Sequence, residues 1–202
     1  MIRKTMVDQI EILEDGTAQI RMRKVIIGDD GEEEISENHR TTVEPGGDIS
    51  AQIRAVHDHL ARPEMGAFPP MTNADVQWTQ SVCKAAHTPE VVAEFKAKIQ
   101  EPGSPPSARP AATGLMQSKT MVEQTVFRRD GTVIVRPCKV IEDNGNEIAR
   151  RTLAPVVASG AVADGLVAAG LKAPDARCVE RVQAIVDAVR GQPVRGQPPK
   201  GR

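Results

Sequence analysis

The stretch from Lys4 to Ile26 is written twice in this chain. Displaced by 115 positions, Lys4-Thr5-Met6-Val7 and Gln9 fall on Lys119-Thr120-Met121-Val122 and Gln124, and Asp15-Gly16-Thr17 falls on Asp130-Gly131-Thr132. Arg21 then meets Arg136, and Lys24-Val25-Ile26 meets Lys139-Val140-Ile141, which makes 12 identities in 23 ungapped positions. Unrelated sequence does not agree at that density, so the chain contains an internal duplication. Whatever local structure one copy adopts, the other is expected to adopt as well.

The copied stretch has the period of strands. Met6, Ile10 and Ile12 alternate with Gln9 and Glu11, and Ala18, Ile20 and Met22 alternate with Gln19, Arg21 and Arg23. Asp15-Gly16 between the two runs is a hairpin signal, because Gly accepts a positive φ and Asp tolerates one. After a second turn at Asp29-Asp30-Gly31, a third strand is expected through Ile35 to Val43. Asp48 is placed to cap a helix whose Ile49, Ile53, Val56 and Leu60 form one stripe, which should cover the Ile10/Ile12/Ile20 face. A second helix starts near Asn73, and a third is capped by Thr88 with Pro89 in its first turn and Val91, Phe95 and Ile99 on one side.

The second copy repeats the plan with strands over 122–129, 132–141 and 148–153. Pro137 falls inside the middle strand, which predicts a sheet edge or a bulge there. A short helix over 161–171 sets Val167 and Leu171 against Val56 and Leu60, and a longer one runs from Asp175 to Arg190. Nothing in the second copy answers the third helix. The fold class expected is α+β, two tandem units that are each a three-stranded antiparallel β-meander followed by packed α-helices. Residues 1–100 form the first unit, 101–115 a Pro-rich linker, 116–190 the second, diverged copy and 191–202 a Gly/Pro-rich tail expected to be disordered in isolation.

With three Phe, one Trp and no Tyr, the cores must be aliphatic, and an aromatic platform for stacked bases is not on offer. The net charge of −1 conceals an imbalance: residues 1–100 hold 11 Lys/Arg against 17 Asp/Glu, and residues 101–202 hold 15 against 10. Halves of opposite sign invite docking, within one chain or between copies. Cys83, Cys138 and Cys178 are odd in number and far apart, as expected of reduced, mostly buried thiols. No run reaches the ~18 apolar residues of a membrane span, and Asp8 and Glu11 interrupt any apolar signal core near the start. Synthesis in the cytoplasm of a host cell is the expectation.

Candidate chemistry is sparse. His57 and His59 sit about 200° apart around a helix and cannot share one ion, so with Asp58 between them they read as a solvated face. Asp29, Asp30, Glu32, Glu33 and Glu34 lack the alternating ligands of a calcium loop and read as a hairpin tip. Arg21, Arg23, Lys24 and Arg40, with Arg136, Lys139, Arg150 and Arg151, are expected on the outward faces of the sheets, where pairing with Glu11 or Glu37 would balance them. No nucleophile elbow, phosphate loop or zinc spacing appears. The expectation is no enzyme, and no catalytic, cofactor-binding or metal residue; no cofactor and no nucleic-acid partner are expected.

The pattern Asp8-Gln9-Ile10-Glu11, Asp15-Gly16, Gln19-Ile20-Arg21, Asp30-Gly31, His39-Arg40, Pro45-Gly46, followed by Ala86-His87-Thr88-Pro89-Glu90-Val91-Val92, resembles short proteins encoded among the tail genes of tailed bacteriophages and prophages. The likeness covers about residues 4–100 and, more loosely, 117–155. In the second copy His39-Arg40 and Pro45-Gly46 are not repeated; Arg151-Thr152 and Pro155 stand nearest. The resemblance implies a virion structural protein of the tail tip, baseplate or fibre region, with other tail proteins and further copies of itself as partners and the viral tail as its destination. The alternative is a non-structural binding module, a tail-assembly chaperone or a small host-directed regulator.

Overall fold

A computed structural model of the chain describes residues 2–31, 33–100, 116–143, 146–158, 160–171 and 175–190. The chain is mixed α+β: one curled antiparallel sheet, with five α-helices among the described residues. The stretches expected to be linker and tail, 101–115 and 191–202, lie outside the described residues, as does Glu32.

Strands β1 (Ile2–Leu13), β2 (Ala18–Ile27) and β3 (Glu33–Val43) precede helices α1 (Ile49–Leu60), α2 (Asn73–Ala86) and α3 (Pro89–Gln100). Strands β4 (Met116–Arg128), β5 (Val133–Asp143), β6 (Asn146–Thr152) and β7 (Val156–Val157) precede α4 (Val162–Ala168) and α5 (Ala176–Arg190). Both Asp-Gly turns have one geometry. In the first, Leu13 N–H donates to Thr17 O at 3.0 Å and Thr17 N–H to Asp15 Oδ1 at 2.9 Å. In the second, Arg128 N–H donates to Thr132 O at 2.9 Å and Thr132 N–H to Asp130 Oδ1 at 2.8 Å. Gly16 and Gly131 take φ of +92° and +85°, which a side chain would disfavour.

The two meanders share one sheet in the order β3-β2-β1-β4-β5-β6, with β7 also on β5. The junction pairs Gln9 with Arg128, Ile10 with Phe127, Glu11 with Val126, Ile12 with Thr125 and Leu13 with Gln124. A displacement of 115 carries Gln9 to Gln124 and Leu13 to Arg128, so it maps this set of pairs onto itself. Glu11 opposes Val126, its own counterpart, and a pseudo-two-fold axis passes between them. The symmetry extends to irregularities: the register slips between Val7 and Gln9 in β1 and between Val122 and Gln124 in β4, so Asp8 and Glu123 are corresponding bulges.

Pro137 lies in an internal strand, not at an edge, and the expected irregularity falls beside it: the register with β4 slips at Glu123, between the partners of Pro137 and Arg136. The ladder on its other side breaks as well: β6 ends at Thr152, Leu153 N–H donates to Pro137 O, and pairing resumes as β7 against Ile134 and Val135. β6 and β7 together do for β5 what β3 does for β2, with the gap opposite the residue that has no N–H to give.

Helices cover one face. Val7, Ile10, Ile12, Ala18, Ile20 and Met22, with Phe127, Val133 and Val135, join Ile53, Val56, Leu60, Val82, Leu166, Val182, Ile185 and Val186 in a single buried cluster. α2 packs on β1 and α5 on β4, and the two helices pack against each other across the axis. Thr72 caps α2 by accepting from Asp75 N–H, and Asp175 caps α5 by accepting from Cys178 N–H, so the helices correspond at a displacement of 103. In α4 the core-facing residues are Val162 and Leu166, whereas Val167, expected to match Val56, is 63 % exposed. In α3 Val91 is buried but Ile99 is 60 % exposed, so the expected three-residue stripe is seated only at its N-terminal end.

Candidate functional site

The seam between the halves holds the densest polar chemistry. Glu11 accepts on one oxygen from the Gln9 amide and on the other from Gln124 Nε2 at 2.7 Å, while Arg136 donates to Gln124 Oε1 at 2.6 Å. Arg21 meets Asp8 at the bulge, with Nε 3.1 Å from both carboxylate oxygens and Nη2 2.7 Å from Oδ2. That fork raises the Arg21 pKa above its ordinary value. Arg21 was expected beside Glu11 and uses Asp8 instead, because the bulge turns the aspartate toward it.

Three ion pairs cross between residues 1–100 and 116–190 among the described residues, and each takes its acid from the first half and its base from the second. They are Asp75 with Arg129, Glu14 with Arg150, and Glu94 with Arg177. The charge imbalance seen in the sequence therefore acts inside the chain. Asp75 is buried and also accepts from Thr72 Oγ1 at 2.8 Å, and Arg129 reaches on to Val7 O at 3.3 Å. At the corresponding place on the other side, Cys178 replaces Asp75: its Sγ accepts from Val122 N–H at 3.2 Å, and Asp175 N–H donates to Thr120 O at 2.7 Å. The N-terminus of α5 thus satisfies groups of β4 beyond the junction, whereas on the other side Arg129, held by Asp75, reaches the edge of β1.

Lys24 is not on the outward face. It is buried on the helix side, with Nζ 3.4 Å from Met65 O, 5.1 Å from the centre of the Phe68 ring and paired with Glu37. His57 and His59 are not a solvated face either. His57 Nε2 accepts from Met71 N–H at 3.2 Å, and the ring of His59 lies 5.2 Å from that of His39. Burial lowers the pKa of His39, His57 and His87, and His87 Nε2 lies 3.1 Å from Gly16 O. Asp29 and Asp30 are exposed at their turn. Cys83 and Cys138 are buried and Cys178 half-buried; burial pushes the Cys83 thiol up to about 12. No cluster of three or more His, Cys, Asp or Glu positioned for a metal occurs among the described residues.

Two surfaces stand open. The first is a hollow of about 510 Å³ between α3, the end of β1, β4 and α5. Its walls are apolar at Ile12, Val91, Val122 and Val182, and Arg181 reaches across them to donate to Glu14 O at 3.2 Å. Burial lowers the Arg181 pKa, with no carboxylate among the described residues close enough to form an ion pair with it. Sequence reading missed this hollow, which arises from residues more than a hundred positions apart. The second surface is the outer rim: every residue from Glu147 to Thr152 in β6 is exposed, Ile148 by 51 %, and at the opposite rim Glu37, Asn38, Arg40 and Thr42 of β3 are exposed. No helix among the described residues is long and apolar enough to cross a membrane. No family model matches the chain, and neither a curated protein nor a solved structure matches it.

Proposed function

We propose that the chain is a structural component of a tailed-phage particle, held in the tail tip, baseplate or fibre region by protein–protein packing, its duplicated halves acting as two tandem attachment units. The observation that carries this reading is the exposed rim. An antiparallel sheet whose last strand presents unpaired backbone groups and both faces to solvent accepts a strand or a flat surface from a neighbour. The resemblance of residues 4–100 to tail-gene products supplies the setting, and the internal use of the charged groups leaves the rim as the place for external contacts. Particles purified on a density gradient from cells producing the phage test the reading by quantitative mass spectrometry. The chain is expected in the particle band at a fixed ratio to the tail proteins, and its confinement to the soluble fraction would overturn the proposal.

A further inference from the structure

Among the described residues the third helix is present once in a molecule that is otherwise nearly two-fold, so the structure displays what sits on that surface in one half, while no described residue covers the matching surface in the other. α3 rests on the first Asp-Gly turn. A Cβ on Gly16 would lie 2.5 Å from Val91 Cγ1, and one on Gly46 would lie 3.0 Å from Val92 Cγ1, so the helix touches backbone at both places. Laterally it is tied to α5 by Glu94 and Arg177. In the second half the matching turn holds Gly131, and Gly160 precedes α4; no atom of the described residues lies within 4 Å of a Cβ built on either. Arg128, Arg129 and Asp130 of that turn are exposed. The turn is fixed against α2 by Arg129 and Asp75, as the first turn is fixed against α5 by Arg181 and Glu14.

We infer that the surface formed by the turn Arg128–Gly131, Gly160 and the N-terminal half of α2 is a docking site for an amphipathic, acidic helix of a partner protein, lying where α3 lies in the first half. The chemistry of the wall sets the character of the guest. Where α5 offers Arg177 and Arg181 to α3, the corresponding positions of α2 are Ala74 and Trp78, the latter half-buried, so the wall is apolar instead of cationic. Where the first turn reads Leu13-Glu14-Asp15, the second reads Arg128-Arg129-Asp130, so the floor changes from acidic to basic. A helix fitting both needs an apolar stripe toward Trp78 and carboxylates toward Arg128. The chain's own end, residues 191–202, carries Arg195, Lys200 and Arg202 and no acid, together with three prolines, and matches neither requirement. The inference does not depend on the particle role proposed above.

The test is a heteronuclear NMR titration of the full chain with a hydrocarbon-stapled peptide spanning residues 88–100 in which Lys96→Glu and Lys98→Glu make the helix acidic. Saturable shifts are expected at Ala74, Trp78, Arg128, Gly131 and Gly160. Arg128→Glu is expected to weaken binding about fivefold, the size of one surface charge pair, while Trp78→Arg should abolish it. Should Trp78→Arg fail to fold by circular dichroism, Arg128→Glu alone decides. Shifts centred on Gly16 and Arg181, meaning exchange with α3, would overturn the inference, as would the absence of saturable shifts. So would binding seen only after residues 191–202 are removed, or concentration-dependent shifts of the same residues without peptide, which would make the guest the tail or a second copy.

Discussion

Asp75 is buried within the helix layer and accepts from two side-chain donors, of which Arg129 is the one that carries charge. Removing the guanidinium strands a carboxylate where solvent cannot reach it, and a stranded buried charge costs more than the lost attraction. Arg129 is itself 40 % exposed, which moderates the effect. Arg129→Ala is expected to cost about 2 kcal/mol in urea unfolding, against less than about 1 kcal/mol for Arg150→Ala at its solvated pair. The histidines add a pH dependence. Burial holds the folded-state pKa of His39, His57 and His87 below the ordinary 6.5. Folding therefore favours the neutral rings. Their contribution is complete above pH 6.5 and is lost as pH falls through that value toward the folded pKa. The urea midpoint should decline on acidification from about pH 7.5 to 5.5, and His87→Gln should flatten part of that decline.

At the scale of elements, the paired glycines isolate what α3 contributes. Gly16→Ala and Gly131→Ala each force a side chain to positive φ, at about 1–2 kcal/mol. The first also drives a methyl into Val91, which adds about 1–3 kcal/mol of overpacking. Thermal unfolding should rank Gly16→Ala clearly below Gly131→Ala, and Val91→Ala should close most of the gap. The elements that sequence reading placed well are those specified locally. Asp15-Gly16 and Asp130-Gly131 carry their own turn chemistry, and Asp48 and Thr88 their own caps. What it misplaced depends on distant partners. Lys24 is the exception: it has the parity of Ala18, Ile20 and Met22, so the strand period itself points it inward, where Phe68 and Met65 cover it, and only its charge suggested the outward face. Val167 and Ile99 keep helical spacing but find no wall, and β7 is too short to carry a period of its own. The hollow beside Arg181 had no signature within any window.

For the molecule as a whole, the junction of β1 with β4, the packing of α2 on α5 and the three crossing ion pairs make the halves one folding unit. The shared apolar cluster draws from both. Denaturant unfolding followed by the Trp78 signal in the first half and by amide exchange in β5 should give one coincident transition; two separate midpoints would contradict that coupling. No local pattern announces this junction, because a five-residue pairing between strands more than a hundred positions apart looks, in sequence, like two independent hairpins.

The opposition of Glu11 and Val126 bears on how such a chain could arise. Two identical single-repeat chains meeting at this seam would set each residue at the axis against itself, and glutamate facing glutamate on adjacent strands repels. Joined in one polypeptide, the two sides are free to differ. Here one side holds an acid, which takes an amide from each flank, and the other a small hydrocarbon. The same freedom shows where Arg129 corresponds to Glu14 and Trp78 to Arg181. A neighbour meeting a true two-fold body could dock in either of two orientations with equal energy. Meeting this one, it finds a single way round, so the chain carries direction within a nearly symmetric frame.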